Sequence, residues 1–163
     1  MSTFPCALAF KVKGSVDHIY RANEAPWYMS DPETKNKCIE RDGGTWFCKK
    51  LNKAIQKPKR RFILNCRVKD HTGSQVVTVF DGQAVQMLGH TTDELFDMHV
   101  LGHHIRVELI YKKAIFTEYY LSLRVKMETY NNEARQKIVL TAMTPLNRNS
   151  ECAELTTAIA TFQ

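Results

Sequence analysis

Three sets of residues in this chain of 163 could do chemistry: its cysteines, a basic run, and basic side chains recurring at every second position. The five cysteines, Cys6, Cys38, Cys48, Cys66 and Cys152, make an odd count without framework spacing, which fits reduced thiols better than disulfides. The run KKLNKAIQKPKRR, residues 49–61, holds seven Lys or Arg among thirteen residues and no acid. Such a run solvates a loop, acts as a localisation signal, or offers phosphates an electrostatic footprint, with Lys57 and Arg60 as its candidate contacts. Arg67 with Lys69, and Arg124 with Lys126, stand two apart in extended segments, so each pair leaves one face of a strand. That face is either a groove for phosphates or a solvated sheet surface. No P-loop, nucleophile elbow, HExxH pair or evident acid pair is present, and an enzyme is not expected.

The elements that must position these groups are mostly strands. In residues 61–80, Phe62, Leu64, Cys66 and Val68 alternate with Ile63, Asn65, Arg67 and Lys69. The turn formers of residues 70–74 return the chain into a second strand, with Val77 and Val79 on one face and Val76, Thr78 and Phe80 on the other. Residues 8–20 read as a first strand, bent or interrupted at Gly14-Ser15. Residues 119–130 alternate throughout, Asn131-Asn132-Glu133 makes a turn, and residues 135–143 return as a fifth strand.

Between the strands lies other material. Residues 21–60 are polar and rich in Pro and Gly, which suggests a small turn-rich insertion. Residues 83–88, stopped by Gly89, and a segment starting with Thr92 as N-cap read as helices. Residues 105–116 fit either period, with helix preferred. Residues 150–162 form a terminal amphipathic helix whose stripe is Leu155, Ile159 and Phe162. The fold class expected is therefore all-β with added helices, a five-stranded OB-fold barrel. No apolar run is long enough for a membrane span, Lys11 and Lys13 argue against a signal peptide, and the formal charge is +6.

Two segments carry a family resemblance. KDHTGSQVVTVF, residues 69–80, and LRVKMETYNNE, residues 123–133, resemble the C-terminal DNA-binding domain of the replication protein A large subunit, whose family includes telomeric and meiotic relatives. The resemblance runs over nearly the whole chain, and RVKxETYN is its most specific piece. It implies an OB-fold over residues 1–148 that holds single-stranded DNA, with a zinc ribbon inserted at residues 21–60. It also implies a C-terminal helix, residues 149–163, that joins two smaller OB-fold subunits. It further implies nuclear localisation, a place in replication, repair, recombination or telomere maintenance, and a chain that is one domain of a longer subunit. A structural anchor with little DNA binding of its own is the alternative.

Carried over residue by residue, the resemblance makes Phe80 and Tyr130 stackers for bases, with Arg67, Lys69, Arg124 and Lys126 on phosphates beside them. Each stack is worth about 1–3 kcal/mol. Val76 replaces a family tryptophan, and Arg148 falls where a tyrosine belongs. The ribbon departs further. Ser30 and Lys35 fall where the first two ligands belong, and Cys38 and Cys48 are remnants at best. Two cysteines without a histidine in the insertion cannot complete a structural zinc site, and His18, His71, His99, His103 and His104 sit elsewhere. No cofactor is expected, and Trp27, Tyr28, Trp46 and Phe47 are expected to form the insertion's mini-core.

Overall fold

The structure, a computed structural model, describes residues 8–20 and 25–161, apart from the Tyr130 side chain. Cys6, Phe162 and the first residues of the insertion lie outside the described residues. In chain order come β1 (Ala9–Tyr20), β2 (Trp27–Ser30), β3 (Cys38–Arg41), β4 (Thr45–Cys48) and β5 (Lys53–Ile55). The hairpin follows as β6 (Lys59–Lys69) and β7 (Ser74–Phe80). Three helices, α1 (Asp81–Leu88), α2 (Thr92–Val100) and α3 (His104–Ala114), precede β8 (Glu118–Tyr130) and β9 (Glu133–Pro145), and α4 (Arg148–Ala160) ends the fold.

The larger sheet runs β1-β8-β9-β7-β6-β2, and β1 also pairs with β6. The first half of β1 lies against β8, from Ala9 opposite Arg124 to Ser15 opposite Glu118. Its second half lies against β6, so the pairing of five strands returns to the strand it began on. Gly14 stands where β1 passes from one neighbour to the other. A Cβ there would come within 2.8 Å of the Lys69 carbonyl oxygen, so only glycine lets the strands approach this closely.

The alternation read in the hairpin is the alternation of the core. Phe62, Leu64 and Cys66 are fully buried, as is Val79 on β7. Ala84, Met87, Leu95, Val107 and Tyr111 from the three helices close over the same cluster. Burial pushes the Cys66 thiol up to about 12, so it is an inert core group.

Several boundaries differ from the sequence reading. β1 is not broken at Gly14-Ser15; its irregularity falls between Val16 and His18. The cap of α2 is Thr91, not Thr92, because only Thr91 has Glu94 three positions on to complete a capping box. Thr92 is buried instead and donates its hydroxyl to Asp81 at 2.9 Å. α4 starts at Arg148 with Asn147 as its cap, two residues before the expected start at 150.

The insertion also divides differently. β2 pairs with the start of β6 and belongs to the larger sheet, while β3, β4 and β5 make a separate three-stranded sheet. The expected four-aromatic mini-core is therefore split. Trp27 packs edge-on against Phe96 and joins the main core. Trp46 and Met29 pack on the small cluster of Cys38, Cys48 and Ile55. Phe47 lies under the Arg41 guanidinium, 3.6 Å from its ring centre.

Candidate nucleic-acid interface

Residues directly opposite in a sheet share a face. Ile63, Asn65, Arg67 and Lys69 on β6 are opposite Phe80, Thr78, Val76 and Ser74 on β7. Thr78 is then opposite Val139 on β9, and Val139, Lys137 and Arg135 are opposite Arg124, Lys126 and Glu128 on β8. One outward surface therefore carries Phe80, Arg67, Lys69, Arg124 and Lys126, as the alternation predicts. Tyr130 ends β8 opposite Glu133, beside a turn in which Asn131 and Asn132 both take positive φ, as a tight hairpin connection requires. Its side chain lies outside the described part.

Within this face the charges are unequal. Lys69, Arg124 and Lys126 are exposed and form no ion pair among the described residues. Arg67 donates its Nε to Asp17 Oδ1 at 2.8 Å, and this bond holds the Asp17 carboxyl below its ordinary range. Phe80 is half-buried, with the Lys137 ammonium 5.8 Å from its ring centre. Lys137 also pairs with Glu128 at 3.4 Å. Phe80 is held from behind by its neighbour: Asp81 accepts from the Phe62 backbone N–H, the Thr92 hydroxyl and Arg61.

Other candidates fall elsewhere. Arg60 faces α2, donating to Asp93 at 2.7 Å with its guanidinium 3.6 Å from the Phe96 ring centre. Its alternation matches Phe62, not Ile63, so it is not on the face of Phe80. Lys57 is exposed in the bend before β6, and Arg148 is the first residue of α4. Three residues on the face went unread in the sequence. Lys137 had a signal, its two-residue spacing from Arg135. His18 and Tyr20 had none, because the irregularity in β1 shifts their phase.

Two of the residues set against a zinc ribbon are cysteines of the small sheet. Cys38 and Cys48 are buried and directly opposite each other, and burial, with Cys48 adjacent, pushes the Cys38 thiol up. Ser30, which the resemblance matches to a ligand position, is fully buried, donates to the Lys59 carbonyl and accepts from Arg61. The Asp31 carboxylate is taken by the amide and hydroxyl of Thr34. Among the described residues no three His, Cys, Asp or Glu converge on a point a metal could occupy.

α4 stands apart from the core. It touches β1 through an ion pair between Lys13 and Glu151, and none of its described residues is buried. Leu155 and Ile159, two of the three stripe residues, are 58% and 66% exposed, so the helix does not cover the sheet.

A five-strand ring with helices over its core and a basic outer face that carries Phe80 defines a small β-rich module. Residues 9–155 match the family model described as the replication factor-A C-terminal domain, and the chain belongs to that family. It is 30% identical over 129 residues to one of the replication protein A 70 kDa DNA-binding subunits of Arabidopsis thaliana, covering 77% of this chain and 16% of that protein. It is 27% identical to replication factor A protein 1 of Schizosaccharomyces pombe, covering 94% of this chain and 25% of that protein. The chain thus spans a quarter or less of these relatives. A solved replication protein A heterotrimer bound to single-stranded DNA superposes with a TM-score of 0.80 at 24% identity, covering 95% of this chain and 36% of that one. Yeast replication protein A bound to single-stranded DNA gives 0.78 at 23%, covering 100% and 91%. Both are likenesses of fold. No helix among the described residues is long and apolar enough to cross a membrane.

Proposed function

We propose that the chain is the C-terminal OB-fold module of a replication protein A-like large subunit, and that it holds single-stranded DNA on the face described above. The observation that carries this is Phe80, beside the Lys137 ammonium, on one surface with Lys69, Arg124 and Lys126. Aromatics for bases set among lysines for phosphates make a sequence-tolerant single-strand site. Phe80 and Tyr130 stack bases, while Arg67, Lys69, Arg124 and Lys126 meet phosphates. The five-strand ring is the OB barrel of residues 1–148, and the C-terminal segment, residues 149–163, joins two smaller OB-fold subunits through Leu155, Ile159 and Phe162. The setting is nuclear DNA replication, repair, recombination or telomere maintenance, without enzymatic activity. The small sheet holds its shape without zinc; one equivalent of zinc in purified protein would overturn that.

The test is a salt-dependent titration of a short oligonucleotide. The Phe80→Ala, Tyr130→Ala double variant should bind at least tenfold more weakly than the parent, since a single stack is worth about 1–3 kcal/mol. Equal binding rejects the stacking face. A second reading, an assembly anchor with little DNA binding, is favoured by the exposure of Leu155 and Ile159. It predicts a parent that binds the strand poorly yet loses its smaller subunits when residues 149–163 are removed.

A further inference from the structure

The irregularity in β1 does more than bend a strand. Val16 is opposite Val68 and Ile19 is opposite Cys66, all four buried, and the register slips by one residue between Val16 and His18. Two residues, Asp17 and His18, therefore occupy the space of one opposite Arg67. An extra residue of this kind re-aims side chains, and here it brings the Asp17 carboxylate to Arg67 and leaves His18 opposite it. Asp17 Oδ1 accepts the Arg67 Nε–H at 2.8 Å, fixing the guanidinium along one edge while its side chain stays 43% exposed.

Beyond the slip, Tyr20 comes opposite Asn65 and returns to the outward face. The His18 and Tyr20 rings meet edge to face, with centres 4.5 Å apart and planes at 73°. Both residues are exposed, so the pair is not part of the core. Through β6 the rows continue as His18, Arg67, Val76 and as Tyr20, Asn65, Thr78. Tyr20 lies two strand spacings and one pleat repeat from Phe80, about 12 Å. That is too far for both rings to grip one base.

We propose that His18 and Tyr20 form a second platform for a nucleobase, and that Asp17 positions Arg67 beside it. The proposal rests on the single-strand reading above and adds to it where a second base sits. Tyr20 supplies a ring for stacking, with His18 bracing it edge-on. Arg67, held by Asp17, keeps its cation beside the platform for the phosphate of the same nucleotide. An exposed ring braced by a second ring is pre-organised for stacking, so little side-chain freedom is lost when the base arrives.

The experiment titrates the full chain with a fluorescein-labelled oligo-dT of about 15 nucleotides. A second strand of equal length carries abasic sugars at every internal position. Tyr20→Ala should weaken oligo-dT binding about tenfold, Tyr20→Phe should restore it, and Asp17→Asn should fall between. On the abasic strand, parent and Tyr20→Ala should bind alike. Phe80→Ala serves as the control for the main face. If Phe80→Ala weakens binding and Tyr20→Ala does not, the second platform is wrong and the single-strand reading stands. If the parent does not bind oligo-dT, the single-strand reading fails and takes the platform with it. If Tyr20→Ala loses as much on the abasic strand, its role is not with a base and the proposal is overturned. Photocrosslinking the parent to 5-iodouracil strands, which needs no variant to fold, should label His18 or Tyr20; label confined to β7 and β8 also overturns it.

Discussion

The carboxylate of Asp81 accepts the backbone N–H of Phe62 at 3.0 Å, tying the first residue of α1 to the most buried aromatic of the central strand. The same oxygen takes the Thr92 hydroxyl at 2.9 Å, and the other oxygen lies 3.4 Å from Arg61. One short side chain thus joins β6, α1 and α2, immediately after Phe80. Asp81→Ala should lower stability by about 2 kcal/mol, because it leaves a part-buried amide and hydroxyl without partners. Urea denaturation checks this, and an unchanged midpoint would show that water replaces the carboxylate.

Gly14 faces a different constraint. A Cβ at that position meets the Lys69 carbonyl at 2.8 Å, and that backbone oxygen cannot swing away. Gly14→Ala should cost about 1–3 kcal/mol by forcing β1 and β6 apart. Gly82→Ala, where a Cβ meets nothing within 4 Å, is the matched control and should show no such loss by thermal melting.

The bond between Asp17 and Arg67 has a pH signature. It holds the Asp17 carboxyl below its ordinary range, so the folded chain favours the ionised form. Stability from this source is complete above the ordinary aspartate pKa of about 3.9 and is lost as pH falls through the lowered folded value. Asp17→Asn should therefore lose less stability than the parent on going from about pH 5 to pH 2. Parallel acid-side losses in parent and variant would show that the pair contributes nothing.

Salt dependence separates phosphate contacts from stacking. If Lys126 neutralises one phosphate, Lys126→Ala should reduce the slope of log K against log salt by about 0.7, the single-strand value per contact. Phe80→Ala should lower affinity with little change in slope. An unchanged slope in Lys126→Ala removes that lysine from the contact set.

Leu155 and Ile159 should matter to assembly and not to folding. Both are exposed on a helix without buried residues, so Leu155→Asp with Ile159→Asp should change domain stability by less than about 0.5 kcal/mol per site. The same pair should abolish association with the smaller subunits in size-exclusion chromatography. Intact association would move the interface off this stripe.

The hairpin was legible because period-2 patterning and burial report the same physics: Phe62, Leu64, Cys66 and Val79 read as core and are core. The slip at Asp17 was not legible. An extra residue in a strand carries no compositional mark, and it inverts the phase of everything after it, which hid His18 and Tyr20. Trp27 and Trp46 lie in one stretch of sequence, yet pairing with β6 draws one to the larger sheet and leaves the other on the small one. Long-range pairing decided that division, and local pattern cannot see it. The surroundings of Arg60 were hidden for a related reason. In a basic run every charge looks alike until the strand phase assigns Arg60 to α2 and Arg61 to Asp81.

The double pairing of β1 also has a consequence for synthesis of the chain. Its second half finds β6 after a few dozen residues, but its first half waits for β8, with Ala9 opposite Arg124. During translation the amide edge from Ala9 to Ser15 stays open until most of the domain has been made. An open edge is a template for pairing with other chains. Lys11 and Lys13 stand along that interval, and their like charges oppose the stacking of two nascent copies before β8 arrives.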